Sequence, residues 1–198
     1  MTMPAYQNIA QATDLTIKVN GEPLRIDYRQ LEAFHNGDSW FGCTVGFRAL
    51  QMAAKTFADS EPWSRNNLYI VSGHSGPGVK DAIELVTQCI SSKRVRLLDE
   101  SGTTTCSRDL KFEWWFSDGR MTIHIKLHDG FVPEAFYQLL DRLSQDRYNT
   151  NDEQTNDRNS FKQYKTDLSQ QLWQQPLDAL FNVAILPTAL SIGELPHA

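Results

Sequence analysis

Hydrophobic residues recur along the chain with two different periods, and these periods predict interspersed helices and strands. A helical spacing runs from Phe41 to Phe57 and again from Val79 to Ile90. Further helices are predicted at residues 134–143 and 161–173. Short apolar or alternating segments predict strands, at residues 15–19, 24–28, 68–71, 95–98, 110–116, 120–128 and 181–186. This mixture of elements predicts one α+β domain.

Turn sequences and polar segments divide the chain further. Asn20-Gly21 and Asp118-Gly119 each separate two predicted strands, and we expect both central residues of the second turn at positive φ. We expect residues 1–33 to form an N-terminal arm and hairpin, and residues 34–198 to form the α+β domain. Residues 148–160 lack apolar periodicity, which predicts an exposed polar loop.

The composition is that of an ordinary globular protein, with 40% hydrophobic and 22% charged residues. A net charge of −5 argues against a general role on nucleic acids or anionic membranes. The first residues lack the basic and apolar regions of a secretory signal. Three cysteines without a CxxC motif fit a reducing compartment. We therefore expect a cytoplasmic protein that contacts neither nucleic acid nor membrane.

A polar loop precedes the first long helix and carries several reactive side chains. Asp38 or Ser39 suits the N-cap position of that helix, because its side-chain oxygen can accept from a free backbone amide. The loop thus delivers His35, Asp38 and Cys43 to a helix N-terminus, where polar ligands are often held.

A second loop, Gly73–Gly78, connects a predicted strand to the next helix. Its three glycines can present backbone amides to an anion at the helix N-terminus. It is not a P-loop, because Lys80 comes one position too late and no Ser or Thr follows it. The alternative is a tight connection whose glycines serve geometry only.

The two loops together suggest a metal or reactive site. Histidine, carboxylate and thiolate groups suit zinc or another borderline divalent ion, and the candidates are His35, Asp38, His74 and Cys89. The alternative for Cys89 is a small buried hydrophobic residue.

Several short motifs occur in a specific order along the chain. They are Gly42-x-x-x-Gly46-x-Arg48, Asp81-Ala82-Ile83, Thr87-x-Cys89 and Gln175–Val183. In this order and spacing the chain resembles the formylmethanofuran dehydrogenase E-subunit-like family over Phe34–Leu186. The resemblance implies an α+β fold with a mixed β-sheet and helices packed on it, and a homodimer. It also implies a metal-binding or redox-cofactor accessory role, because relatives occur with molybdenum or tungsten enzymes.

The chain departs from the family at the opening motif, where relatives carry two histidines and a cysteine. Asn36, Asp38 and Trp40 stand at those three positions. Only Cys89 matches a family cysteine, so the metal motif is degenerate. What remains is a harder, weaker metal site or a pocket that has changed its ligand, with Trp40 as an apolar floor.

We therefore expect an accessory protein that binds a small ligand or a divalent metal, with zinc the best-suited ion. The expected ligand-binding residues are Asn36, Asp38, Trp40, Cys43, His74, Ser75 and Gly78. One alternative is a small enzyme with Asp38 or His35 as base and Cys43 or Cys89 as nucleophile. Another is a non-catalytic interaction subunit with a vestigial pocket.

Overall fold

The computed structural model describes residues 12–38, 40–58, 63–98, 111–145 and 152–196. Most of the predicted N-terminal arm (residues 1–11), together with Ser39 and Cys106, lies outside these ranges.

The described chain begins with the predicted β-hairpin. Strands β1 (Asp14–Val19) and β2 (Glu22–Asp27) pair antiparallel, and both residues of the turn, Asn20 and Gly21, have positive φ. Such a turn matches the twist of the flanking strands. Leu15, Ile17 and Ile26 are buried in the main hydrophobic core, so the hairpin packs onto the rest of the domain.

Five strands form a mixed sheet in the order β4-β3-β5-β6-β7. β3 and β4 are parallel, and the other neighbouring pairs are antiparallel. The expected α+β fold with a mixed sheet is therefore confirmed. The strands are β3 (Tyr69–Ser72), β4 (Val95–Leu97), β5 (Glu113–Ser117), β6 (Thr122–Leu127) and β7 (Phe181–Leu186).

The helices agree closely with the apolar periodicity. They are α1 (Tyr28–Phe34), α2 (Trp40–Ala58), α3 (Pro77–Thr87), α4 (Glu134–Gln145), α5 (Asp152–Gln174) and α6 (Leu177–Leu180), with a 3₁₀ turn at Arg65–Asn67. Among the described residues, no helix combines the length and apolar character needed to cross a membrane.

Helices α2 and α3 run side by side in the same direction. Gly42 lies against Gly78 and Val79, and one turn later Gly46 lies against Val79 and Ala82. The absence of a side chain at both glycines lets the two backbones approach. The N-terminal ends of α2 and α3 therefore meet at one edge of the domain.

The prediction of a polar loop at 148–160 is wrong for residues 152–160, which form the first turns of α5. Residues 155–160 are mostly exposed, so this stretch needs no apolar stripe and left no periodic signal. The Arg142 guanidinium donates to both carboxylate oxygens of Asp157 and connects α4 to this segment.

Two local predictions also need correction. Gly119 has positive φ but Asp118 does not; the Asp118 carboxylate instead accepts from the amides of Arg120 and Met121 and closes a longer turn. Helix α3 ends before Cys89, because Gln88 adopts the left-handed conformation.

Candidate functional site

A pocket of about 280 Å³ opens where the N-terminal ends of α2 and α3 meet the helices α4 and α5. The two loops that the sequence singled out both contribute to it. Its lining residues are Asp38, Phe41, Gly42, His74, Gly76, Pro77, Gly78, Phe112, Phe136, Tyr137, Leu140, Phe161 and Lys165.

The first turn of α3 supplies backbone donors at this pocket. Gly76 is the N-cap and offers no side chain to cap the helix, and Pro77 carries no amide hydrogen. The Gly78 amide has no hydrogen-bond acceptor among the described residues, and neither has that of Val79, whose nitrogen lies against Gly42 of α2 and outside the pocket lining. The N-terminal end of α3 therefore keeps backbone donors without an acceptor among the described residues, and it carries the positive end of the helix dipole.

His74 is held in one orientation beside these amides. Its Nδ1 accepts from the Gly76 amide at 3.0 Å, and the Ser72 hydroxyl both donates to the His74 carbonyl and accepts from its amide. A Cβ at Gly76 would lie 2.5 Å from the His74 ring, so only glycine fits there. The Phe112 ring lies 4.9 Å from the imidazole.

The protonation state of His74 follows from these contacts. The residue is only 4% exposed, and burial lowers the pKa of its imidazole from 6.5 to about 4, so the ring is neutral at pH 7. Because Nδ1 accepts a hydrogen bond, the single ring proton resides on Nε2. Nε2 has no partner among the described residues and is left as a donor.

Lys165 brings a positive charge from α5 to the same pocket. Its Nζ donates to the Asp38 carbonyl at 3.3 Å and lies 3.8 Å from the Asp38 carboxylate. It also lies 5.2 Å from the centre of the Phe161 ring. The Asp38 side chain is 78% exposed, whereas that of Lys165 is 18% exposed, so the carboxylate sits at the rim and the cation further in.

The remaining walls are apolar and largely aromatic. The Phe136 ring lies 5.0 Å from the Phe161 ring and 6.0 Å from the Phe41 ring, and Phe41 in turn contacts Phe112 at 5.6 Å. Such edge and tilted contacts give a rigid apolar surface. The pocket thus has one polar end at the helix termini and an aromatic body.

Of the seven expected ligand-binding residues, Asp38, His74 and Gly78 line this pocket. Asn36 is exposed, Cys43 is buried, and neither lines the pocket, nor do Ser75 and Trp40. Trp40 packs edge-on against the His35 ring at 5.3 Å and is not the floor of the pocket.

The buried His35 side chain connects the loop before α2 to helix α3. Its Nδ1 lies 2.6 Å from the Asp81 carboxylate, and its side chain is almost fully buried. A Cβ at Gly37 would lie 3.1 Å from the His35 ring. The contact with Asp81 ties the loop before α2 to α3, which helps hold the two helix ends together.

The two described thiols do not resemble nucleophiles. Burial, with smaller contributions from Asp81 and Glu32, raises the pKa of Cys43 to about 12. Burial also raises the pKa of Cys89, whose Sγ donates to the Leu68 carbonyl. A nucleophilic cysteine needs a lowered pKa and access to solvent. The cysteine-based enzyme therefore has no support from these environments.

The four expected metal ligands do not form one donor set. Among the described residues, no three His, Cys, Asp or Glu side chains are placed to hold a metal ion. Cys89 lies beyond the C-terminal end of α3, roughly 16 Å along the helix from the pocket. His74 uses Nδ1 for the Gly76 amide, so metal binding at Nε2 would require the other tautomer. The described residues therefore offer no three-ligand set for a metal ion, and the zinc binding expected from the donor types stays a prediction.

Helices α4 and α5 supply five of the thirteen lining residues, none of which was expected at a site: Phe136, Tyr137, Leu140, Phe161 and Lys165. Both helices were predicted from periodicity, but periodicity does not say which neighbour an apolar face covers. The one usable signal was the aromatic content of the two helices, at Phe136, Tyr137 and Phe161.

No protein-family model matches the chain, and no curated protein has a significant match to it. The family resemblance therefore rests on the short motifs alone. The fold and the pocket define an α+β protein with a cavity of small-molecule size.

Proposed function

We propose that this protein binds a small organic ligand in the pocket between α2, α3, α4 and α5. The observation that carries the proposal is the meeting of two helix N-termini at the end of an aromatic cavity, where the Gly78 amide of α3 has no acceptor among the described residues. Small-molecule sites are typically concave and apolar, with a few oriented polar groups. This pocket has that organisation.

The positions of the polar groups support binding of an oriented ligand. His74 is fixed by Gly76 and Ser72, and Lys165 is held by Asp38 and Phe161. Groups held in advance lose little conformational freedom on binding. The buried, high-pKa thiols and the neutral donor tautomer of His74 favour binding over nucleophilic catalysis.

The wider role that we propose comes from the E-subunit-like resemblance. It is that of a cytoplasmic, homodimeric accessory protein serving a redox enzyme or molybdoenzyme. The α+β fold with a mixed sheet agrees with the resemblance, and the pocket lies beside the loop that carries the family's opening motif. The interaction-subunit alternative would be favoured by co-purification of a partner enzyme with no ligand in the pocket.

The test is a screen of small aromatic and aliphatic compounds by ligand-observed NMR, repeated with two variants. Leu140→Trp places a large ring in the pocket, whereas Gln138→Trp places it on the exposed face of the same helix. We expect the binders of the wild type to bind Gln138→Trp and to lose binding to Leu140→Trp. Binders that are indifferent to Leu140→Trp would place the site elsewhere.

A further inference from the structure

We infer that the ligand of this pocket is a monocarboxylate with an aromatic or branched aliphatic body, bound with its carboxylate between the first turn of α3, His74 and Lys165. The inference rests on the proposed function and names the class of molecule bound. Hydrogen-bond donors, charge and size each point to this class.

The polar end of the pocket carries hydrogen-bond donors that a ligand acceptor can satisfy. The Gly78 amide lacks an acceptor among the described residues, and Nε2 of His74 carries a proton without a partner there. His74 and Gly78 line the same cavity. A carboxylate can accept from several donors at once.

The charges favour an anion with a single negative charge. Each helix N-terminus carries about half a positive charge, and two of them meet at the pocket. Lys165 adds a full positive charge, which the Asp38 carboxylate at the rim largely offsets. A monocarboxylate therefore balances the site, whereas a phosphate dianion would leave excess negative charge next to Asp38.

The volume and the apolar walls of the pocket indicate what the rest of the ligand is. A cavity of about 280 Å³ has the space of about nine water molecules, which suits a ligand of about ten to fifteen non-hydrogen atoms. The rings of Phe41, Phe112, Phe136 and Phe161 surround this space and favour a flat or branched apolar body. An arylalkanoate such as 3-phenylpropionate has the required size and charge.

The first test compares matched ligands at pH 7 by calorimetry or NMR titration. The ligands are 3-phenylpropionate, its neutral amide 3-phenylpropanamide and phenyl phosphate. We expect the carboxylate to bind about tenfold or more tightly than the amide, and more tightly than the phosphate. Equal binding of acid and amide would overturn this inference while leaving the proposed function intact.

Two variants of His74 distinguish the contributions of its two ring nitrogens to ligand binding. In His74→Asn the amide oxygen can still accept from Gly76, but the donor at the Nε2 position is lost. In His74→Gln the amide nitrogen can restore that donor. We expect His74→Asn to weaken carboxylate binding about tenfold with little change for the amide, and His74→Gln to recover part of the loss. Unchanged carboxylate binding in a folded His74→Asn variant would contradict the inference.

Lys165 has a matched control on the same helix. Lys165→Met removes the charge at the pocket, and Lys162→Met removes an exposed charge that does not line it. We expect only Lys165→Met to weaken carboxylate binding, and Lys165→Arg to restore it. Tighter binding of phenyl phosphate than of 3-phenylpropionate would overturn the monocarboxylate and indicate a phosphate ligand instead. If none of the three ligands binds, but other screened compounds bind the wild type and lose binding in Leu140→Trp, the carboxylate inference is refuted and the proposed pocket is retained.

Discussion

Gly46 of α2 faces Ala82 of α3 so closely that a Cβ at Gly46 would lie 3.1 Å from the Ala82 Cβ. One turn earlier, a Cβ at Gly42 would lie 3.4 Å from the Val79 nitrogen and 3.5 Å from the Gly78 Cα. The two helices therefore pack in parallel through their glycines, and their N-terminal ends are held level at the pocket. Each turn of α2 contributes differently to this contact.

The two glycines should respond differently to alanine. At Gly46 the added methyl group is too close to Ala82 and Val79, and overpacking of this kind costs about 1–3 kcal/mol, offset by about 1 kcal/mol of improved helix propensity. At Gly42 the contacts are of ordinary length. We expect chemical denaturation to show a net loss for Gly46→Ala and little change or a gain for Gly42→Ala. Equal changes in stability for the two variants would show that the distance between α2 and α3 does not depend on the missing side chain at Gly46.

The buried His74 should make stability depend on pH. Burial lowers its pKa from 6.5 to about 4, so between these values the unfolded chain binds a proton that the folded protein does not. The stability that this neutral histidine contributes is therefore complete above pH 6.5 and is lost as the pH falls toward 4, by about 1.4 kcal/mol per pH unit. Denaturation curves of the wild type and His74→Asn should show a steeper acid-side fall for the wild type. Parallel pH profiles would contradict this protonation state.

Cys43 and Cys89 should be inert in the folded protein. Both are fully buried, and burial raises the pKa of each thiol. In a Cys106→Ser background, we expect iodoacetamide at about pH 8 to leave both thiols unmodified under native conditions and to modify both after denaturation, as read by mass spectrometry. Rapid native alkylation of Cys43 would reopen the cysteine-nucleophile alternative.

The contact between Arg142 and Asp157 should order the start of α5. Asp157→Asn removes the charge that the Arg142 guanidinium binds, and residues 155–160 of α5 are mostly exposed. We expect faster amide hydrogen exchange before Phe161 and little change in the sheet. Asp167→Asn, on the same helix and in contact with Gln163 rather than with α4, is the control. Identical exchange in both variants would show that the ion pair does not order this segment.

Much of the fold could be predicted, because the periods of apolar residues report local structure directly. The stripe from Phe41 to Phe57 became α2, and Asn20-Gly21 became a hairpin turn. The start of α5 at 152–160 was missed. Residues 155–160 are mostly exposed, and an exposed helical segment that an ion pair connects to its neighbour needs no hydrophobic period.

The site was predicted in part for a related reason. Loop positions near helix starts located Asp38, His74 and Gly78 at one pocket. Pairings between distant residues leave no pattern in a single sequence, so the contact of His35 with Asp81 and the placement of Lys165 were invisible. His35 was expected to bind metal, but its Nδ1 contacts Asp81 within the described structure.

A ¹H–¹⁵N NMR titration of the full chain with 3-phenylpropionate would show where such a ligand binds. We expect saturable shifts at the amides of Gly76 and Gly78, because both residues line the pocket at the N-terminal end of α3. Residues on the opposite face of the sheet, such as Trp115, should not respond. Shifts confined to that face, or none at the α3 amides under conditions where the compound binds, would contradict binding in this pocket.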